Sequence, residues 1–223
     1  MRGLFITATD TGAGKTYVTA GIARIWRREG RSFRVCKPVA TGADTDWSED
    51  TRILAEAAGD VDLHAITPYT FAVPAAPPVA ARLAGVSLRL EDLAAAVRRR
   101  AAEGNTVLVE SVGGLLCPLT GRETVADLAI ELDMPLIVVA RRSLGTLNHT
   151  LLTVEAAQRR GLRLVGVVVT ATSPVSGVAE ETVIEELRMR LHVRLLAVLP
   201  YRPITDGGAM AELQALDWWR IAQ

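Results

Sequence analysis

Two lysines frame the chemistry open to this chain. Lysine and arginine together number 25, yet Lys15 and Lys37 are the only lysines and the other 23 are arginines. A general arginine bias explains a surface without lysine; it does not explain two survivors. A compact ammonium and a planar guanidinium are not interchangeable where a point charge is needed, so both lysines are candidate site residues. Lys15 stands in ITATDTGAGKT, Ile6 to Thr16. Gly-Lys-Thr closes the pattern G-x-x-x-x-G-K-[ST], in which backbone N–H groups cradle phosphate, the lysine reaches the outer phosphates and the hydroxyl ligates Mg²⁺. The slot for the first glycine holds Thr9, and Ala8 precedes it. Gly12 and Gly14 supply the remaining flexibility.

A phosphate-bound Mg²⁺ needs a carboxylate from the end of another strand. Glu110 follows the apolar run VLV and is the first candidate. Asp50 is a second, with Asp44, Asp46 and Glu49 competing for the same role. Lys37 lies in CKPVATG, at the predicted end of a strand where Pro38 fixes the chain's exit. An ammonium there could stabilise charge that develops during phosphoryl transfer. Asn148 and His149 begin a helix in SLGTLNHTLLT. Such a start serves ordinary capping or the binding of a carboxylate equally well. His64 and His192 have no partners in sequence and read as structural.

Positioning these groups falls to short apolar runs alternating with helical periods. Strands are predicted at 3–8, 33–38, 106–111, 135–140, 163–170 and 194–200. Helices are predicted at 17–30, 48–59 (with Ser48 as N-cap), 77–85, 89–104, 146–161 and 179–191, with a terminal helix over 209–223. The strands are uniformly apolar, as in a parallel sheet covered on both faces. We expect one α/β domain over 1–223, a doubly wound, mainly parallel sheet flanked by helices. Ligands then gather at the carboxyl ends of the strands, where 9–16, 37–50, 110–119, 141–148 and 170–174 converge.

At 49% apolar residues and zero formal charge, disorder and a nucleic-acid footprint are both disfavoured. No apolar run approaches the ~20 residues of a membrane span, and no leader is expected before the first strand. Cys36 and Cys117 form no C-x-x-C and read as reduced thiols of a cytoplasmic protein.

TDTGAGKT, KPVATG, TPYTFAVPAAPPVAA, LVESVGGLLCPL and LGTLNHTLLT occur in that order over about residues 4–170. As an ordered set they resemble the dethiobiotin synthetase family, which implies a P-loop type fold. The resemblance implies an ATP- and Mg²⁺-dependent cyclo-ligase acting on 7,8-diaminononanoate and CO₂ or bicarbonate, through a carbamate and its phosphoric anhydride. Lys15 and Lys37 would be catalytic, and Thr16, Asp50 and Glu110 would hold the metal. Nucleotide contacts would come from Gly12, Ala13, Gly14, Lys15 and Thr16 in the loop, and from Asp50 and Glu110. Ser111, Val112 and Gly113 would follow, then Thr170 and Ala171, and Pro200, Tyr201 and Arg202. The diamine would meet Thr11, Lys37 and Thr41. Its carboxylate would meet the helix start at Leu144, Gly145, Thr146, Leu147 and Asn148 of a partner subunit in a homodimer.

The chain departs from the family at several points. Glycine is usual at Ala8, and glutamate is common at Gly12. VEGAGG is usual where VESVGG stands, so Ser111 is atypical. A Ser-Pro-His motif is replaced by Ala76-Pro77-Pro78. An adenine-contacting asparagine aligns with Thr170, and a substrate-reaching tyrosine falls near Glu181. A switch ATPase of the partition or nitrogenase-iron-protein type is the alternative. Those proteins carry a further lysine near the loop's start, and here no lysine precedes Lys15.

Overall fold

The computed structural model describes residues 1–102, 105–202 and 210–223. A six-stranded parallel sheet is built from β1 (Gly3–Ala8), β2 (Phe33–Cys36), β5 (Thr106–Glu110), β6 (Leu136–Arg141), β7 (Leu164–Thr170) and β8 (Arg194–Leu199). Their order is β2-β5-β1-β6-β7-β8: from β1 the chain crosses to the edge at β2, returns to place β5 between the two, then passes β1 and winds outward through β6, β7 and β8. Every predicted strand is present within three residues of its expected ends.

Alternate side chains of each strand point to opposite faces, and both faces are packed. Leu4, Ile6, Leu108 and Val139 enter one core, which holds Trp26 of α1 (Lys15–Arg28) and Leu54 of α2 (Glu49–Ala58). Phe5, Val107, Val109 and Val138 enter the other. There they meet α4 (Pro77–Leu83), α5 (Leu90–Arg100), α7 (Thr146–Arg159) and α8 (Val178–Arg190). Ser48 caps α2 as expected, its hydroxyl accepting from Thr51 N at 3.2 Å.

Four elements escaped the sequence reading. β3 (Val39–Thr41) and β4 (Tyr69–Phe71) form a separate two-stranded parallel sheet, and α3 (Leu63–Ile66) is a single turn. Three- and four-residue elements are too short to display a period. The fourth, α6 (Val125–Leu132), hides because most of its residues are buried. Its legible signal is Thr124-x-x-Asp127: Asp127 Oδ2 accepts from Thr124 N at 2.7 Å and from Thr124 Oγ1 at 2.6 Å.

The expected terminal helix is two helices, α9 (Met210–Gln214) and α10 (Trp218–Ile221); Ala209, within the expected span, lies outside the described residues. The break has a local cause. Asp217 turns its carboxylate forward to cap α10, accepting from Arg220 N at 2.9 Å. Trp218 is thereby buried, its Nε1 donating to Leu213 O at 2.7 Å. Residues 103–104, placed at the end of a helix by the sequence, also lie outside the described residues; α5 ends at Arg100.

Candidate active site

Register decides the first contact of the site. In the parallel pairing of β2 with β5, Cys36 stands beside Val109. The next residue of each strand is Lys37 and Glu110, so the two leave the sheet side by side. Lys37 Nζ lies 2.6 Å from Glu110 Oε1 and 2.5 Å from Asp50 Oδ2, the latter brought by the first turn of α2. The Thr16 hydroxyl lies 2.8 Å from Asp50 Oδ1 and 2.8 Å from Glu110 Oε1, its single proton shared between the two carboxylates. Asp44, Asp46 and Glu49 are exposed and take no part in this network.

Burial alone would lower the ammonium pKa of Lys37. The Glu110 and Asp50 carboxylates outweigh it, so the pKa rises and the ammonium form is favoured. Asp50 is shifted the other way. Desolvation is outweighed by the Lys37 charge and hydrogen bond and by the Thr16 hydroxyl, and its carboxyl lies below the usual range. Lys15 differs from its neighbour. Its Nζ touches the Asp10 carbonyl at 3.3 Å, and burial lowers its pKa, the charge of Lys37 adding to the effect.

The phosphate loop supplies the floor. Gly12 and Gly14 adopt φ of 70° and 91°, left-handed conformations that cost a side-chain-bearing residue about 1–2 kcal/mol. Ala8 and Thr9 have no such backbone. Ala8 ends β1 in register with Val139 and is fully buried. The conformational need for glycine therefore falls at 12 and 14, where glycine stands.

The loop, Asp50 and both lysines line a cleft of about 810 Å³, with Glu110 buried behind them. Thr11 and Thr41 line it, as do Val112 and Gly113. One wall was not foreseen as part of the site: Tyr17, Ala40, Ile53 and the segment Pro74–Pro77. Ile53 carried a usable signal, since it lies three residues after Asp50 and so shares its face of α2. Pro74–Pro77 carried none in its spacing, though it lies within TPYTFAVPAAPPVAA, one of the stretches that carry the family resemblance. Cys117 also lines the cleft. Burial raises its thiol pKa, and burial pushes that of the free thiol Cys36 up to about 12.

The remaining candidates lie elsewhere. Ser111 is buried and donates to Thr7 Oγ1 at 3.2 Å, inside the sheet. Thr170 ends β7 and donates to the carbonyl of Ala13 at 2.5 Å. Ala171 is buried, while Tyr201 and Arg202 are exposed beside Pro200 after β8. Leu144 to Asn148 do not line the cleft. Thr146 is buried, but Leu144 is 85% exposed. Beyond them, His149, Leu152, Thr153 and Ala156 of α7 border a second hollow of about 420 Å³, which shares Thr11, Gly113 and Cys117 with the first.

Comparison with known proteins narrows what such a cleft serves. A family model described as an AAA domain matches residues 2–208. The ATP-dependent dethiobiotin synthetase BioD of Anaeromyxobacter dehalogenans (strain 2CP-C) is 47% identical over 204 residues, 91% of this chain and 92% of that protein. This chain belongs to the dethiobiotin synthetase family. A further dethiobiotin synthetase, BioD of Aromatoleum aromaticum, is 39% identical and aligns with 94% of this chain and 95% of its own.

Solved structures similar to this dethiobiotin synthetase family member agree on the fold alone. The MinD cell division protein of Aquifex aeolicus matches with a TM-score of 0.54 at 16% identity, covering 100% of this chain and 94% of that one. Chloroplast FtsY of Physcomitrella patens matches with a TM-score of 0.55 at 18% identity, and there the chain spans 63% of the relative's length. The fold is thus the P-loop nucleotide-binding architecture expected from the sequence.

Proposed function

We propose that this chain is an ATP-dependent dethiobiotin synthase, closing the ureido ring of dethiobiotin from 7,8-diaminononanoate and CO₂. The observation that carries the reading is the buried constellation of Thr16, Lys37, Asp50 and Glu110 beside the loop that holds Lys15. One amine of the diamine adds to CO₂ and loses a proton, giving a carbamate. The carbamate oxygen attacks the γ-phosphorus of ATP, and ADP leaves. The second amine attacks the activated carbon, phosphate departs, and the ring closes with loss of a proton.

Chain groups act on charge and placement at each stage. Lys37, an ammonium held between two carboxylates, neutralises the carbamate and its phosphorylated form. Lys15, beside the loop N–H groups, faces the oxygens of the transferring phosphoryl group. Thr41 positions the diamine, and the wall of Ile53 and Pro74–Pro77 excludes water from its methylenes. No covalent enzyme intermediate is needed; positioning and fixed charge supply the rate.

The residues present suit Mg²⁺. Thr16, Asp50 and Glu110 offer hard oxygen donors, and Glu110 Oε2 is buried with no hydrogen-bond partner among the described residues. Those same residues contain no cluster of three His, Cys, Asp or Glu able to enclose a metal. That suits an ion which takes only one or two carboxylates and completes its shell with water and phosphate oxygens. When bound, the ion would neutralise the triphosphate.

A homodimer completes the proposal. Leu152, on the α7 side of the second hollow, is 56% exposed, and Leu144, just before α7, is 85% exposed; such apolar side chains suit contact with another copy. The start of α7 would then bind the substrate carboxylate across the interface. No described helix is long and apolar enough to cross a membrane; we assign the enzyme to the cytoplasm, acting on small molecules and not on nucleic acid.

The deciding experiment combines purified protein with diaminononanoate, bicarbonate, Mg²⁺ and ATP. Dethiobiotin should form with one ADP for each ring closed. A folded protein that binds ATP and yields none would overturn the reading.

A further inference from the structure

We propose that Thr170 is a positioning residue for the phosphate loop: its hydroxyl locks the Ala13–Gly14 peptide in the orientation that offers the Gly14 N–H to a polyphosphate. Residue 170 then sets affinity for the phosphate chain and does not read the base. The inference rests on the loop being the phosphate site.

Three observations carry it. First, Thr170 is 2% exposed, and its Oγ1 donates to the Ala13 carbonyl at 2.5 Å, tying the end of β7 to the loop. The hydroxyl has one proton, and that proton is committed inward. Second, the tied peptide is one that could otherwise turn over. Rotating it changes ψ of Ala13 and φ of Gly14, and a glycine at φ of 91° accepts other values of φ at little cost. Third, the side chain fits against the loop closely. A Cβ added to Gly14 would lie 2.8 Å from Thr170 Oγ1 and 3.2 Å from its Cβ and Cγ2.

Peptide geometry converts the tie into function. In a planar trans peptide the C=O and the following N–H point in opposite directions. Holding the Ala13 carbonyl toward β7 turns the Gly14 N–H away from it, and Gly14 lines the large cleft. Loss of the hydroxyl leaves a buried carbonyl unpaired and the peptide free to invert. An inverted peptide would present a carbonyl oxygen to phosphate, replacing attraction with repulsion.

Thr170→Val keeps the shape and removes the donor; Thr170→Ser keeps the donor. Binding of ATP, GTP and inorganic tripolyphosphate is measured by titration calorimetry on wild type and both variants, with melting temperatures taken without ligand. Thr170→Val should weaken all three ligands by the same factor, about ten-fold for one lost hydrogen bond to a loop that must stay ordered. Thr170→Ser should stay within about two-fold of wild type, since the donor is retained. KM for ATP should rise in Thr170→Val with kcat little changed. Tripolyphosphate affinity unaltered in Thr170→Val, or a loss confined to ATP, overturns the proposal. So does a ten-fold loss in a Thr170→Ser protein that melts like wild type, which also keeps the test decisive if Thr170→Val does not fold. Wild-type protein that binds no tripolyphosphate would instead remove the phosphate-site reading beneath it.

Discussion

Lys37 Nζ sits 2.6 Å from Oε1 of Glu110, a carboxylate with no solvent exposure, and the same oxygen accepts from Thr16 at 2.8 Å. An ion pair this deep gains little net stability over apolar packing, yet breaking one side of it is costly. Its value is placement. It holds the chain's second lysine against the two carboxylates that suit a metal, at the rim of a phosphate loop.

Lys37→Met should therefore destabilise the protein by about 3 kcal/mol, because Glu110 stays buried without its ammonium. Mg²⁺ should recover part of that loss by taking the place of the missing cation. Thermal melting with and without MgCl₂ checks this: the rise should be larger for the variant than for wild type. Equal rises would mean that lysine and metal do not share these carboxylates.

Lys37→Arg keeps the charge and alters its shape. Nucleotide affinity should be close to that of wild type, while kcat should fall by about 100-fold, the usual cost of losing one well-aimed electrostatic contact in a transition state. Calorimetry and steady-state turnover separate the two effects. Near-normal turnover would take Lys37 out of the mechanism.

Asp127 gives a stability prediction with a definite pH sign. Although burial acts to raise its pKa, the two Thr124 hydrogen bonds outweigh this and the carboxyl lies below its ordinary value. A depressed carboxyl stabilises the fold fully above the unfolded pKa of about 3.9 and ceases to do so as pH falls through the folded value. Asp127→Asn should cost roughly 1 kcal/mol at pH 7, a typical loss for a helix cap. The gap from wild type in urea melts should close as pH drops below about 4. A gap that stays constant to pH 3 would contradict the role of the charge.

Leu152 tests the proposed subunit contact. A charge at the centre of an apolar interface costs several kcal/mol, so Leu152→Glu should turn a dimer into a monomer with little change in fold. Light scattering after gel filtration and far-ultraviolet circular dichroism check both halves. Wild-type protein that elutes as a monomer at assay concentration would remove the dimer from the proposal.

Much of the architecture was legible because it is local. Apolar runs of four to seven residues mark the sheet, and Gly30, Ser48 and Gly145 stand where helices stop or start. The elements that escaped are either too short for a period, as at Val39–Thr41, or masked by burial, as at Val125–Leu132. The terminal helix was misread because Asp217 looks like one more polar residue until its carboxylate is seen to cap α10.

The site divides along the same line. By itself the sequence determined that phosphate is the ligand class, through Gly14-Lys15-Thr16 after a strand, and that Lys37 is not a surface accident, through the scarcity of lysine. The resemblance singled out Asp50 among the competing acids, and the structure brings it to Thr16; only the tertiary structure decided that Ile53 and Pro74–Pro77 wall the cleft and that Thr170 faces the loop. The reason is physical. Thr16 and Glu110 are 94 residues apart, and Thr170 and Ala13 are 157 apart. Such contacts are set by strand order and register, and no local run of residues carries either.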